Sequence, residues 1–240
     1  MIKKALIGIA AFLGAGAIVF GALIAINSGD TKNSQDYESY RAAMEAFRDA
    51  TNDSSANATT RINNLADNIE STGDYAIIER AAKSYMRDVL VPYYEVAELQ
   101  NKGIYKSGIS PELIKMQQPD FVDALSEIST MNEKLTQVQN IADNLFLRDA
   151  AEKYLGENEL DGKYIKIFND ETKRIYDDVK LRQNYYEFVN TYRPKTDYYS
   201  KILNFLVANK NNWHLDDDKI SFKTTALTNQ YNAIVSNKNF

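Results

Sequence analysis

The chain has 240 residues, of which 44% are hydrophobic and 25% charged, values of an ordinary folded protein rather than a disordered one. Its formal charge of −5 comes without a basic block, so polyphosphate is repelled and nucleic acid is not an expected partner. The absence of cysteine excludes disulfides, thiolate metal sites, cysteine nucleophiles and a lipid-modified N-terminal Cys.

Residues 5–26 carry no charge and no strongly polar side chain. A helix of that length is about 33 Å long, against a hydrocarbon core of about 30 Å. The run, with Ala5, Phe12, Phe20 and Ile26 along it, reads as an uncleaved membrane anchor. Lys3 and Lys4 precede it, which sets the N-terminus in the cytoplasm and the bulk of the chain on the far side. The rival reading is a cleaved signal peptide. Its best small-x-small site, Ala15-Gly16-Ala17, would leave an apolar tail on the mature protein. Small residues four apart, such as Ala17 and Gly21, fit helix contacts within a membrane, but such spacings are common in any span.

A polar linker, residues 27–33, leads to a helical region over 34–209. The first helix is expected from about Gln35 to Ser71, with Tyr40, Met44, Phe47, Ile62 and Leu65 on one stripe. The polar stretch from Thr51 to Asn57 is either a polar layer within it or a break between two shorter helices. Gly73 reads as its C-cap, with Asp74 capping the next helix. That second helix, from Tyr75 to Asn101, should kink or break at Pro92. Gly103 to Gly108 reads as a loop, and Ser110-Pro111-Glu112 opens a short helical turn.

A third long helix opens at Pro119-Asp120 and is expected to run almost to Gly156. Phe121, Leu125, Ile128, Met131, Leu135, Val138 and Ile141 form its stripe. A fourth carries Ile165, Phe168, Ile175, Val179 and Phe188 and should end at Pro194; a fifth covers roughly Asp197 to Asn209. Over 210–240 the period changes. Trp213 to Phe222 alternates around three aspartates and reads as a small hairpin or irregular turn, followed by a helix to about Ser236. The expected fold is all-α: an N-terminal transmembrane helix, an antiparallel helical bundle and a hairpin-like C-terminal appendage.

Chemistry-bearing patterns are few. His214 is the one histidine, so no H-E-x-x-H motif exists, and neighbouring Asp216 to Asp218 do not follow the EF-hand spacing. No nucleophile elbow or glycine-rich dinucleotide loop occurs. The sequence therefore calls for no catalytic residue, metal or cofactor. Its least ordinary feature is 16 tyrosines, with doublets at Tyr93-Tyr94, Tyr185-Tyr186 and Tyr198-Tyr199. In each doublet one ring can pack inward while the other offers an aromatic contact to a partner; most of the 16 are expected simply to pack the bundle.

These features point to a non-enzymatic binding or scaffolding module of a cell envelope. Its partners would be the bilayer, through residues 5–26, and an envelope protein; self-association is an open alternative. A sensor subunit working through a membrane partner and a carboxylate-dependent envelope enzyme are the competing readings.

Overall fold

The computed structural model describes residues 31–52, 57–238 and 240. The described residues are mostly helical, with one two-stranded sheet among them. The anchor assigned to residues 5–26 lies outside the described residues. Among the described residues no helix is long and apolar enough to cross a membrane. The helices are α1 (Thr31–Thr51), α2 (Ala58–Asp67), α3 (Gly73–Leu99), α4 (Gly103–Ser107), α5 (Pro111–Gln117), α6 (Val122–Asn144), α7 (Arg148–Glu152), α8 (Gly162–Tyr176), α9 (Val179–Ala208) and α10 (Thr225–Ser236). Strands β1 (Trp213–Asp216) and β2 (Lys219–Phe222) lie between α9 and α10.

The chain forms two compact units. The first holds the described residues up to Tyr94 together with 140–183. Here α1 buries Tyr40, Met44, Phe47 and Thr51, a spacing of four, three and four that defines one helical face. α2 buries Ala58, Ile62 and Ala66. Tyr37 meets Tyr75 at 5.7 Å near the start of α1, and the Tyr94 hydroxyl donates to the Thr51 carbonyl at its end, so α1 and α3 run parallel. α8 runs the same way, with Tyr164 5.0 Å from Tyr75 and Glu171 3.5 Å from Arg48.

An ion pair holds the connection between α2 and α3. The Glu79 carboxylate accepts from the backbone N–H groups of Glu70 and Ser71 and from the Ser71 hydroxyl. Lys83 donates to Glu79 and to the Asn68 carbonyl. Burial pushes the Glu79 carboxyl up, but these donors outweigh it and leave its pKa below the ordinary value.

The second unit holds residues 95–139 and 184–240. Glu95 pairs with Lys134 at 2.5 Å, and the Ile104 N–H donates to Glu127 at 2.9 Å, so the end of α3 runs antiparallel to α6. That Glu127 carboxylate lies where a Cβ on Gly103 would be, and Gly103 has φ +45°, so any other residue here would be strained and would displace Glu127. The Tyr192 hydroxyl donates to Gln100 and the Tyr105 hydroxyl to Thr196, tying α9 to the chain before and within α4.

The hairpin is antiparallel, with Trp213 opposite Phe222 and Asp216 opposite Lys219. Asp217 and Asp218 both take positive φ, the requirement of a tight two-residue turn matched to strand twist. Trp213 is buried against Phe121, rings 6.0 Å apart and nearly parallel, and its indole N–H donates to the Leu206 carbonyl.

Several helix boundaries differ from the sequence expectation. The stretch from Gln35 to Ser71 divides into α1 and α2, the break that was one of the two expectations for its polar segment. Gly73, at φ +60°, opens α3 rather than closing the helix before it, which ends at Asp67. α3 passes through Pro92 without the break that was one of the two expectations there. α4 occupies most of the expected loop from Gly103 to Gly108. α6 stops at Asn144 because the chain turns to bury Phe146 and takes an extended conformation at Leu147. The fourth helix is two: α8 ends at Tyr176, and the Asp178 carboxylate accepts the Leu181 N–H to start α9. α9 then continues through Pro194 to Ala208 instead of ending there.

Candidate functional site

Pro194 has no N–H, so the Asn190 carbonyl four residues earlier loses its intrahelical donor. Both residues line an open cleft of about 660 Å³ in the second unit, between the middle of α9 and the end of α10. Its apolar surface comes from Val189, Pro194, Ala233 and Ile234. Around these stand Arg193, Asp197 and Lys201 on α9, Gln139 within α6, and Asn237 after α10.

The three charged residues recur every four positions, a spacing that brings helical side chains together as ion pairs. Here they do not pair. Arg193 donates to Gln139 at 3.4 Å, and among the described residues neither Asp197 nor Lys201 has an ion-pair partner. Two cations, one carboxylate, a freed carbonyl and three amide side chains thus surround an apolar floor. Such a surface can hold a polypeptide by its side chains and its backbone groups together.

Tyr198 also lines the cleft, and its hydroxyl donates to the Val235 carbonyl of α10 at 3.2 Å. Burial raises its pKa. Its neighbour Tyr199 is only 8% exposed and stands with Tyr105 and Tyr192 around the Lys195 ammonium, which donates to the Tyr105 carbonyl at 3.1 Å. Burial and nearby Lys238 lower the Lys195 pKa.

The other tyrosine doublets differ. Tyr185 is fully buried while Tyr186 is half-buried. Tyr93 and Tyr94 are both buried, at 5% and 7% exposure. At 185–186 and 198–199 one ring of the doublet is covered and its neighbour is not, the arrangement expected of a doublet on a helix, whereas at 93–94 both rings are covered. Tyr198 is the doublet member that belongs to the cleft.

A second cleft, of about 500 Å³, lies along α8 in the first unit. Two of its cations are already paired, Arg148 with Glu152 at 2.8 Å and Lys173 with Asp177 at 3.8 Å. His214 is exposed on β1, and Asp218 pairs with Lys115 at 2.5 Å. Among the described residues no group of three or more His, Cys, Asp or Glu side chains gathers where a metal could sit.

Arg193, Asp197 and Lys201 were not singled out from sequence, although their four-residue spacing is visible there. What is not visible is that α10 returns to face them. No family model, curated protein or solved structure matches this chain.

Proposed function

We propose that the protein is a non-enzymatic binding module, tethered to a membrane by residues 5–26, with its helical body on the extracytoplasmic side. In this reading the N-terminal segment is a transmembrane helix and the body is a bundle that holds a protein partner close to the bilayer. The observation that carries the binding role is the cleft at Pro194, where Arg193, Asp197 and Lys201 stay unpaired around an apolar floor. Unpaired charges beside desolvatable surface favour a polypeptide over a small apolar ligand. The tether rests on the length and apolarity of residues 5–26.

The experiment places a photo-crosslinking side chain at Lys201 in the full-length chain within native membranes, with Lys166 on α8 as reference. A discrete protein adduct from position 201 and none from 166 is the expected result. Equal yields at the two positions, or no adduct at 201, contradict the reading.

A further inference from the structure

From Thr224 to Asn237 no side chain is charged, although a quarter of the whole chain is. This run is α10, and none of its residues is buried. Its inner side is held by partial contacts. Tyr231 lies 5.2 Å from Phe222 and 6.1 Å from Phe205, and Leu227 and Ile234 are half-buried. Its outer side is a stripe of Thr225, Asn229, Asn232 and Ser236, all exposed, with exposed Ala226 and Ala233 beside it. A helix face turned to water ordinarily carries charges, and loss of charge is a mark of surfaces that become covered.

We propose that the outer face of α10 packs against α10 of a second copy of this chain, across a two-fold axis. This rests on the reading of the cleft and its rim as the contact surface, because Ala233 and Ile234 form one cleft wall.

The chemistry of the stripe selects a second copy. Residues near a two-fold axis meet themselves. An ionised side chain there would face its own charge. Asn, Ser and Thr each donate and accept, so each can hydrogen-bond to an identical residue. The chain carries −5 overall, so two copies repel in general, and approach is least opposed through a face without charge. Ala226 and Ala233 keep no long side chain between the two backbones.

The 12-residue helix is about 18 Å long and covers less than the roughly 800 Å² per partner of a standard stable interface. The contact is therefore weak in dilute solution. It forms where the tether confines both copies to one plane and raises their effective concentration.

The test uses the full-length protein in lipid vesicles. The chain has no cysteine, so single thiols can be placed without background. Asn229→Cys and, separately, Lys166→Cys are oxidised and the disulfide-linked dimer is measured. Asn229→Cys should give about tenfold more dimer than Lys166→Cys, which samples random collisions. Equal yields overturn the proposal.

Ser236→Cys then serves as reporter in Asn229→Lys and Asn229→Glu backgrounds. Each charged variant alone should lose the Ser236→Cys crosslink, and mixing the two should restore it. Unchanged crosslinking in the Lys background overturns the proposal. Trp213 emission checks that each variant is folded. A foreign adduct at Lys201 with no excess dimer at Asn229→Cys overturns the self-contact and leaves the cleft reading standing. Dimer at Asn229→Cys with no adduct at Lys201 does the reverse.

Discussion

The Lys83 ammonium lies 2.6 Å from a Glu79 carboxylate oxygen, and neither side chain reaches solvent. Two charges taken out of water are tolerated only when each is paired and hydrogen-bonded. Here Glu79 also fastens the backbone of Glu70 and Ser71, and Lys83 fastens the Asn68 carbonyl. The pair thus specifies how the chain passes from α2 to α3. Lys83→Met leaves the carboxylate buried and unpaired, and should cost about 3–5 kcal/mol in urea denaturation followed by circular dichroism. Glu79→Leu with Lys83→Met should recover only part of that loss: no orphan charge remains, but the Ser71 N–H and hydroxyl lose their acceptor.

The same pair sets an acid limit. The native Glu79 pKa is lowered from an ordinary value of 4.5. The stabilisation is complete above that value and is lost as pH falls through the lower native one. Stability measured from neutral pH downward should therefore drop below the ordinary carboxylate range, and Glu79→Gln should flatten the drop. An identical pH profile in Glu79→Gln assigns the acid sensitivity to other groups.

At alkaline pH the tyrosines dominate. Burial, followed by neighbouring Tyr164 and Tyr37, raises Tyr75 to about 12. Burial also raises Tyr105 and Tyr231 to about 12, against the effect of the hydrogen bond shared with Thr196 in the first case and with help from Tyr198 in the second. A raised native pKa gives stability that is whole below the ordinary value of 10.0 and is lost as pH climbs towards 12. A near-ultraviolet titration should show Tyr75, Tyr105 and Tyr231 ionising only well above the ordinary value, as the protein unfolds. A single transition near the ordinary value contradicts the burial described for these rings.

Trp213 is the one tryptophan and reports on the second unit. Phe121→Ala removes the ring stacked on it and should cost about 3–5 kcal/mol, with the indole emission shifting to the red. Emission at the wavelength of free tryptophan in the unaltered protein is incompatible with the buried, hydrogen-bonded indole.

Pro194→Ala tests the construction of the cleft. The substitution restores a donor to the Asn190 carbonyl and removes the ring from the helix interior. Part of the gain is offset by a looser unfolded chain. The thermal midpoint should rise, by the equivalent of about 1–2 kcal/mol, while crosslinking from Lys201 should fall.

How far the sequence foretold this structure depends on whether a signal was local. The hairpin was legible because Trp213 to Phe222 alternates and Asp217-Asp218 suits a tight turn. The stripe of α6 was legible from Phe121 to Ile141, and the structure buries Phe121, Ile128, Met131, Leu135, Val138 and Ile141. The end of α6 was not, because no breaker follows Asn144; burial of Phe146 and the Tyr85 hydroxyl on the Leu145 carbonyl are tertiary effects. Pro194 misled in the opposite sense, since packing on Tyr192, Thr196 and Tyr199 outweighs one lost hydrogen bond. The cleft draws on residues 139, 189–201 and 233–237, and no window of sequence contains it.

The tether is the claim on which the location of every partner depends. Alkaline carbonate extraction of membranes bearing the full-length chain tests it most directly, with a variant carrying Phe12→Arg and Ile18→Arg beside it. The unaltered chain should stay with the membrane pellet and the variant should be released. Release of the unaltered chain, or equal retention of both, rules out the tether.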